Sequence, residues 1–181
     1  MTRSEIAGQT VWDDIGLGKL SLFVPLFGKE LPFVLFPSDG SAPEVTEKMA
    51  ATVGDVLALP PGEIERVQSL LWEECNFAFQ VTWYGVDVLP GETPLQAHLR
   101  EFGLPDAEAA FRKCELREIQ IFDGFAARYA QVKVRTASES SISLIVRNGR
   151  IVDFDDDGTH LGAFDKDEQH AHKKRQKVLG G

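Results

Sequence analysis

The hydrophobic and polar positions of this chain alternate in a strand-like way near its start, follow a helical period in its middle and alternate again toward its end. Short apolar runs cover residues 9–12, 19–24 and 31–36, and turn-forming residues separate them. This punctuation predicts an antiparallel meander of two or three strands. Pro25 and Pro32 stand at the margins of the runs, where the missing N–H group of proline is tolerated.

From residue 42 the apolar positions repeat at the spacing of a helix. The repeat predicts a first helix that ends before Pro60. A second, longer helix follows and is predicted to reach about residue 84, with Gly85 as its C-terminal glycine. Two short helices come next, for which Thr93 and Asp106 are the predicted N-caps.

The strand pattern returns in the last third of the chain. The segments concerned are residues 115–122, 126–135, 141–146 and 150–154. The Asn148-Gly149 pair is the strongest hairpin signal in the chain. The order of elements predicts an α+β fold with an N-terminal β-meander, central helices and a C-terminal antiparallel sheet packed on the long helix.

Apolar residues become rare after residue 164. A stretch of this composition buries too little apolar surface to offset the entropy of ordering it. We therefore predict a single α+β domain over residues 1–164 and a flexible charged tail over residues 165–181.

The composition is that of a globular protein that buries its own core, with 43% hydrophobic and 26% charged residues among 181. Cys75 and Cys114 are far apart and form no CxxC pair, so neither a disulfide framework nor a zinc site is predicted. The chain begins without a signal-peptide pattern and contains no apolar run of about 18 residues. A cytoplasmic protein that does not engage a membrane is expected.

The formal net charge is −9, and the positive charge is concentrated at the end of the chain. Without Lys173, Lys174, Arg175 and Lys177, 15 basic residues face 28 acidic ones, a net charge of −13. Such a surface repels phosphate backbones and attracts basic molecules over long range. We therefore expect a basic protein partner and no direct contact with nucleic acid.

Two segments contain residues that could bind a metal, but neither provides a complete set of fixed ligands. Asp153–Gly158 matches the first half of a calcium loop, but its twelfth position is Phe164 instead of a bidentate carboxylate. His170 and His172 lie in the predicted tail, which is too mobile to fix ligand geometry. No metal and no other cofactor is predicted.

No catalytic residue is predicted either, and an enzyme is the less favoured class. The sequence has no GxSxG elbow, no GxGxxG and no phosphate-binding loop. Cys75 falls on the apolar stripe of the long helix, and His98 is a lone helical histidine, typically a satisfied or partly exposed side chain. The large aromatic side chains are predicted to be core more than interface. They are Trp12, Trp72, Trp83 and Tyr84.

Four stretches of the second half carry a resemblance to an uncharacterised family of small bacterial α+β proteins, some of which look like members of toxin-immunity loci. The stretches are AEAAF at 107–111, LREIQI at 116–121, AQVKV at 130–134 and SLIVRNGRIV at 143–152. Where that family carries a Trp-Asp-x-Glu-His-Gly-like motif, this chain has residues 136–141, TASESS. The resemblance implies the fold, and the family offers no established catalytic residues to carry over.

The leading hypothesis is an acidic protein-binding module, an immunity protein that inhibits a cytosol-acting, nuclease-type bacterial toxin. Its predicted partner-binding residues are the acids assumed to be exposed, Asp155, Asp156, Asp157, Asp165 and Asp167. Two alternatives stay open. A small enzyme with a site assembled from distant residues would show a polar pocket with His98 or buried carboxylates. An adaptor or subunit without inhibitory role would instead show an exposed apolar patch.

Overall fold

The fold opens with a short helix and a three-stranded antiparallel meander. The computed structural model describes residues 1–38, 40–156 and 160–179. The first elements are helix α1 Arg3–Gln9 and strands β1 Val11–Trp12, β2 Gly18–Val24 and β3 Lys29–Phe36. β1 pairs with β2 and β2 pairs with β3, both antiparallel, which confirms the predicted meander.

Four helices connect the meander to the second half of the chain. They are α2 Glu47–Leu57, α3 Glu63–Val81, α4 Pro94–Glu101 and α5 Ala107–Lys113. Thr93 and Asp106 are confirmed as N-caps, because each side chain accepts a hydrogen bond from a backbone N–H of the first turn that follows. α3 ends earlier than predicted, since the backbone is already extended at Thr82. No described helix is long and apolar enough to cross a membrane.

The second half supplies four more strands in antiparallel succession. They are β4 Glu115–Phe122, β5 Tyr129–Arg135, β6 Ser141–Arg147 and β7 Arg150–Asp155. Asn148 and Gly149 connect the last two with φ values of 47° and 78°. Positive φ at both central residues is what a type I′ turn requires, so the predicted hairpin is confirmed.

A parallel pairing of β3 with β4 joins the two groups of strands into a seven-stranded sheet, in the order β1 to β7. Phe33 lies opposite Ile119, and Phe36 lies opposite Phe122. Pro32 directly precedes this paired stretch, so its missing N–H group falls outside it. The α+β class is confirmed, and the meander and the C-terminal strands belong to the same sheet.

One face of the sheet packs on α2 and α3 and forms the main core. β2 shows the underlying period, because its residues alternate between buried and exposed along the whole strand. The helices contribute side chains spaced three or four residues apart, as one face of a helix requires. Those of α2 and α3 in the core include Met49, Val53, Val56, Val67, Leu70 and Leu71.

The opposite face is covered in part by two C-terminal helices, α6 His160–Lys166 and α7 Glu168–Leu179. The buried residues that they share with the sheet, here named the second core, are Tyr129, Ile145, Leu161, Phe164 and Ala171. Glu168 also forms an ion pair with Arg147 of β6. Beyond residue 164, Ala171 of α7 is the described residue that is buried in the second core, and the helix continues to residue 179. The flexible tail over residues 165–181 stays a prediction.

Candidate functional site

The five acids predicted to bind a partner have different surroundings. Asp155 is only 1% exposed, so its predicted exposure is wrong. Asp165 accepts hydrogen bonds from the backbone of Ala126 and Ala127, and Asp167 accepts one from the first turn of α7. Asp156 and Asp167 are exposed, and Asp157 lies outside the described residues.

The segment Asp153–Gly158, which matches the first half of a calcium loop, is only partly covered by the structure, because residues 157 and 158 lie outside the described range. Within that range, no three His, Cys, Asp or Glu side chains form a group that could hold a metal ion. No metal site can therefore be built from the described side chains.

A row of four side chains crosses β4 to β7 on the face opposite the main core. Glu118 lies opposite Lys133, and Lys133 lies opposite Ser143. Ser143 lies opposite Asp155 in turn. Directly opposed residues of antiparallel strands share a face of the sheet, so these four, here named the polar row, stand side by side. Lys133 Nζ donates to Ser143 Oγ at 2.7 Å and to Gln131 Oε1 at 3.1 Å.

The polar row lines a cavity of about 500 Å³. The cations, Arg117 and Lys133, come from β4 and β5, whereas Asp155 is the last residue of β7 and Asp156 follows it. The remaining residues that line it are Glu118, Val134, Ser141, Ile142 and Ser143. A polar pocket with a buried carboxylate is the feature expected of a site assembled from distant residues, although His98 does not line it.

Ser143 and Lys133 have the proximity of a nucleophile and its base. Burial lowers the pKa of the Lys133 ammonium, and the nearby charges of Asp155 and Glu118 act in the opposite direction. Acyl transfer also needs donors aimed at the developing oxyanion. The backbone around this pair is committed to sheet pairing on both sides of β5 and β6. The backbone N–H groups beside this pair are therefore engaged in the sheet and not aimed at the Ser143 hydroxyl.

A second polar cluster lies under the turn between β5 and β6, and it is closed to solvent. The Ser138 hydroxyl donates to the carboxylate of Glu74, with O–O distances of 2.9 and 3.1 Å. The Ser138 oxygen is in turn 2.8 Å from the hydroxyl of Thr136 and 3.1 Å from that of Ser140. Glu74 is 4% exposed and Ser138 is 1% exposed. The cluster attaches the turn to α3 and offers no accessible reactive group.

His98 is a fully satisfied core histidine. Its Nε2 accepts the backbone N–H of Tyr84 at 3.2 Å, so Nδ1 carries the proton and donates to Pro94 O at 2.7 Å. Its ring stacks on Phe79. With both nitrogens engaged and the ring buried, His98 serves the packing of α4 and is not free for acid or base chemistry.

Both cysteine thiols are expected to be unreactive at pH 8 in the folded protein. Burial raises the pKa of Cys75 to about 12 and that of Cys114 to about 11. At pH 8 a thiol with a pKa of about 11 is ionised about 100-fold less than one with a pKa of about 9. Alkylation by iodoacetamide, followed by mass spectrometry, should be slower in native protein than in urea by at least that factor. Equal rates would contradict the burial of Cys75 and the partial burial of Cys114.

Exposed apolar side chains gather directly after the long helix. Four of the eight large apolar side chains exposed in the described part of the chain fall within residues 81–89, here named the apolar loop. They are Val81, Trp83, Val88 and Leu89. Trp83 is 59% exposed, so its predicted core position is wrong.

The backbone of the apolar loop is held in place from several directions. Tyr84 Oη donates to the carbonyl of Ser138 at 3.1 Å. Arg100 Nη2 donates to the carbonyl of Asp87 at 2.7 Å. The side chain of Val86, in the middle of the loop, is buried. The exposed apolar side chains are therefore displayed by a fixed backbone.

No protein-family model, curated protein or solved structure matches this chain. The resemblance to an uncharacterised family of small bacterial α+β proteins, some of them in toxin-immunity loci, therefore stays a prediction. Sequence reasoning missed both the apolar loop and the polar row. The alternation of Gln131 and Lys133 with apolar neighbours in β5 was the available signal for a polar sheet face.

Proposed function

We propose that this chain is a protein-binding module that contacts its partner through the apolar loop. The observation that carries the proposal is the grouping of four exposed apolar side chains on a tethered backbone. Grouped apolar exposure of this kind marks interaction surfaces, and tryptophan is enriched among the residues that dominate binding energy. A loop that is already ordered loses little conformational freedom on binding.

The partner that fits this surface is basic. Residues 81–106 contain the acids Asp87, Glu92, Glu101 and Asp106 against the single cation Arg100. The whole chain carries a net charge of −9, to which exposed Asp156 and Asp167 contribute. Complementary charge accelerates association and disfavours acidic competitors.

An exposed apolar patch is the feature expected of an adaptor or subunit, so the binding module covers that alternative as well. In its finer form, the proposal is an immunity protein that inhibits a nuclease-type toxin acting in the cytosol. A nuclease needs a basic surface to hold phosphate groups, and an acidic binder with an apolar anchor would cover such a surface. The resemblance of residues 107–152 to proteins of toxin-immunity loci supports the same class. Inhibition by occlusion requires no catalytic residue in this chain.

The test is retention of a partner by the tagged full chain at low and high salt, from a lysate of its source cells. We expect one basic protein in stoichiometric amount, released as salt rises. Trp83→Ala should weaken its binding by about 30-fold or more. The matched control is Phe23→Ala, which removes an aromatic side chain that is 60% exposed on β2. Equal retention by the Trp83 and Phe23 variants would contradict the proposed contact surface.

The purified partner then separates inhibition from adaptor function. A nuclease whose activity is abolished by the wild-type chain, and restored when Trp83→Ala replaces it, supports the immunity proposal. The double variant Asp156→Lys with Asp167→Lys should slow association and flatten its salt dependence. An unchanged association rate would show that these two acids are not part of the binding surface. A partner without nuclease activity would be consistent with a protein-binding module, but it would contradict the proposal of an immunity protein against a nuclease toxin.

A further inference from the structure

Strand β7 forms one edge of the sheet, so one of its two sides has no neighbouring strand in the described part of the chain. The Asn148-Gly149 turn makes Arg147 and Arg150 the closing pair of the hairpin, and hydrogen-bonded and non-hydrogen-bonded pairs alternate from there. Ile151, the next residue, therefore points its N–H and C=O groups away from β6. An edge that presents such groups is a template for pairing with another chain.

Two side chains of α3 occupy this edge. Glu63 Oε2 accepts the N–H of Ile151 at 3.1 Å, and Arg66 Nη2 donates to the carbonyl of Val152 at 3.0 Å. Glu63 and Arg66 are three residues apart, so they lie on the same side of the helix. One supplies an acceptor and the other a donor, as the backbone of an adjacent strand would. The pair, here named the edge guard, therefore occupies hydrogen-bonding positions of an eighth strand.

The start of α3 shows that the Glu63 carboxylate is directed to the strand. Glu63 is the first residue of α3, and the N-cap Gly62 makes no side-chain hydrogen bond to the helix. An acidic side chain at this end of a helix can accept from the unpaired N–H groups of the first turn. Among the described residues, the Glu63 carboxylate instead accepts from β7, 88 residues away in sequence. The contact is thus a tertiary one that holds α3 against the edge.

Two features of β7 itself also act against pairing. The register of β6 and β7 shifts between Ile145 and Val146, so Val152 is the extra residue of a bulge. Bulges bend and twist a strand and are one way in which proteins protect a sheet edge. Beyond the bulge, the N–H of Phe154 donates to Oδ1 of Asp153 at 2.8 Å. Side chains thus hydrogen-bond backbone groups of β7 on both sides of the bulge.

We infer that the edge guard keeps the outer side of β7 from pairing with β7 of a second copy of this chain. Ile151 presents both a donor and an acceptor on that side, so two copies related by a twofold axis can exchange the same two hydrogen bonds. Such pairing uses backbone groups that each copy presents, and it needs no other protein. The inference rests on contacts of α3 and β7 alone, so it is independent of the partner proposed for the apolar loop.

The test is sedimentation velocity of the full chain over about a 100-fold range of concentration, at a salt concentration that screens the net charge of −9. The double variant Glu63→Ala with Arg66→Ala should self-associate at concentrations about tenfold or more below any at which the wild-type chain does. Association of this variant that is no stronger than that of the wild type would overturn the inference.

Two control variants separate the hydrogen bonds from the charges. Glu63→Gln with Arg66→Lys keeps an acceptor and a donor at the edge and should sediment as wild type. Glu65→Ala with Arg112→Ala removes one acid and one base from exposed positions of α3 and α5, and it should also sediment as wild type. Increased association of either control would contradict the role assigned to the edge guard.

Hydrogen exchange of the Ile151 amide, followed by NMR of dilute protein, measures the edge guard without self-association. Glu63→Ala should accelerate exchange of this amide by about tenfold or more and leave the Leu144 amide of the interior strand β6 unchanged. Unchanged exchange at Ile151 would refute the guard. If circular dichroism shows that the double variant does not fold, Arg66→Ala, at an exposed side chain, replaces it in sedimentation. Wild-type sedimentation of that single variant would then overturn the inference.

Discussion

Replacing Phe164 with alanine is expected to lower the free energy of unfolding by about 3 to 5 kcal/mol. The Phe164 side chain is 1% exposed and lies in the second core with Tyr129 and Ile145. Its truncation removes apolar contacts and leaves a cavity that the rigid sheet beneath cannot fill. The loss should appear as a lower midpoint in urea unfolding monitored by circular dichroism.

The matched control is Phe23→Ala, because Phe23 is the same residue type with 60% exposure. Its unfolding free energy should stay within about 0.5 kcal/mol of the wild-type value. If Phe164→Ala were equally mild, residues 160–179 would not be packed on the sheet. The flexible tail predicted from the sequence would then be the better description.

Ser138→Ala is expected to cost about 2 to 3 kcal/mol, although it removes a single oxygen atom. The Ser138 hydroxyl donates to Glu74, whose carboxylate is 4% exposed. Without that donor a buried acidic group loses a hydrogen bond that water cannot replace. Thr136 and Ser140 lose a shared partner at the same time.

A double-mutant cycle identifies the cause. Glu74→Met combined with Ser138→Ala should recover much of the lost stability, because no buried carboxylate then remains to be satisfied. Ser69→Ala, at an exposed position of α3, should change the unfolding free energy by no more than about 0.5 kcal/mol. Strict additivity of the Glu74 and Ser138 effects would show that the two side chains do not interact energetically.

The sequence predicted those elements whose signals are local. Thr93 and Asp106 cap the helices that follow them, since a capping side chain needs only the backbone three residues later. The Asn148-Gly149 turn depends on the φ values of two adjacent residues. α1 was missed although Thr2 and Glu5 form a complete capping box, because the helix that they start is short and has few apolar residues.

The C-terminal helices and the polar row depend on distant partners. The run from residue 165 is strongly charged, and its one described buried apolar residue, Ala171, packs with Tyr129 and Ile145 of the sheet. The polar row needs the register of four strands, in which a shift of one residue would move Lys133 to the main core. The pattern of apolar and polar residues within one segment contains no information about its tertiary partner or about the register of its strand.

The exposure of Asp155 and of Trp83 to solvent also depends on the fold and could not be predicted from residue type. Asp155 is buried because its strand places it beside Ser143, whereas Trp83 is exposed because α3 has already ended at Val81. Residue type favours the reverse in both cases. The candidate surfaces therefore had to be found from the fold.

The parallel pairing of β3 with β4 divides folding into local and distant steps. The other paired strands of the described sheet are joined by short connections without an α-helix. β3 and β4 are instead separated by residues 37–114, which contain the four helices α2 to α5. Closing so long a loop costs more entropy than closing a hairpin, and contacts distant in sequence slow folding. We therefore expect two halves rich in hairpins to form first, with the seam between them closing last as the helices dock.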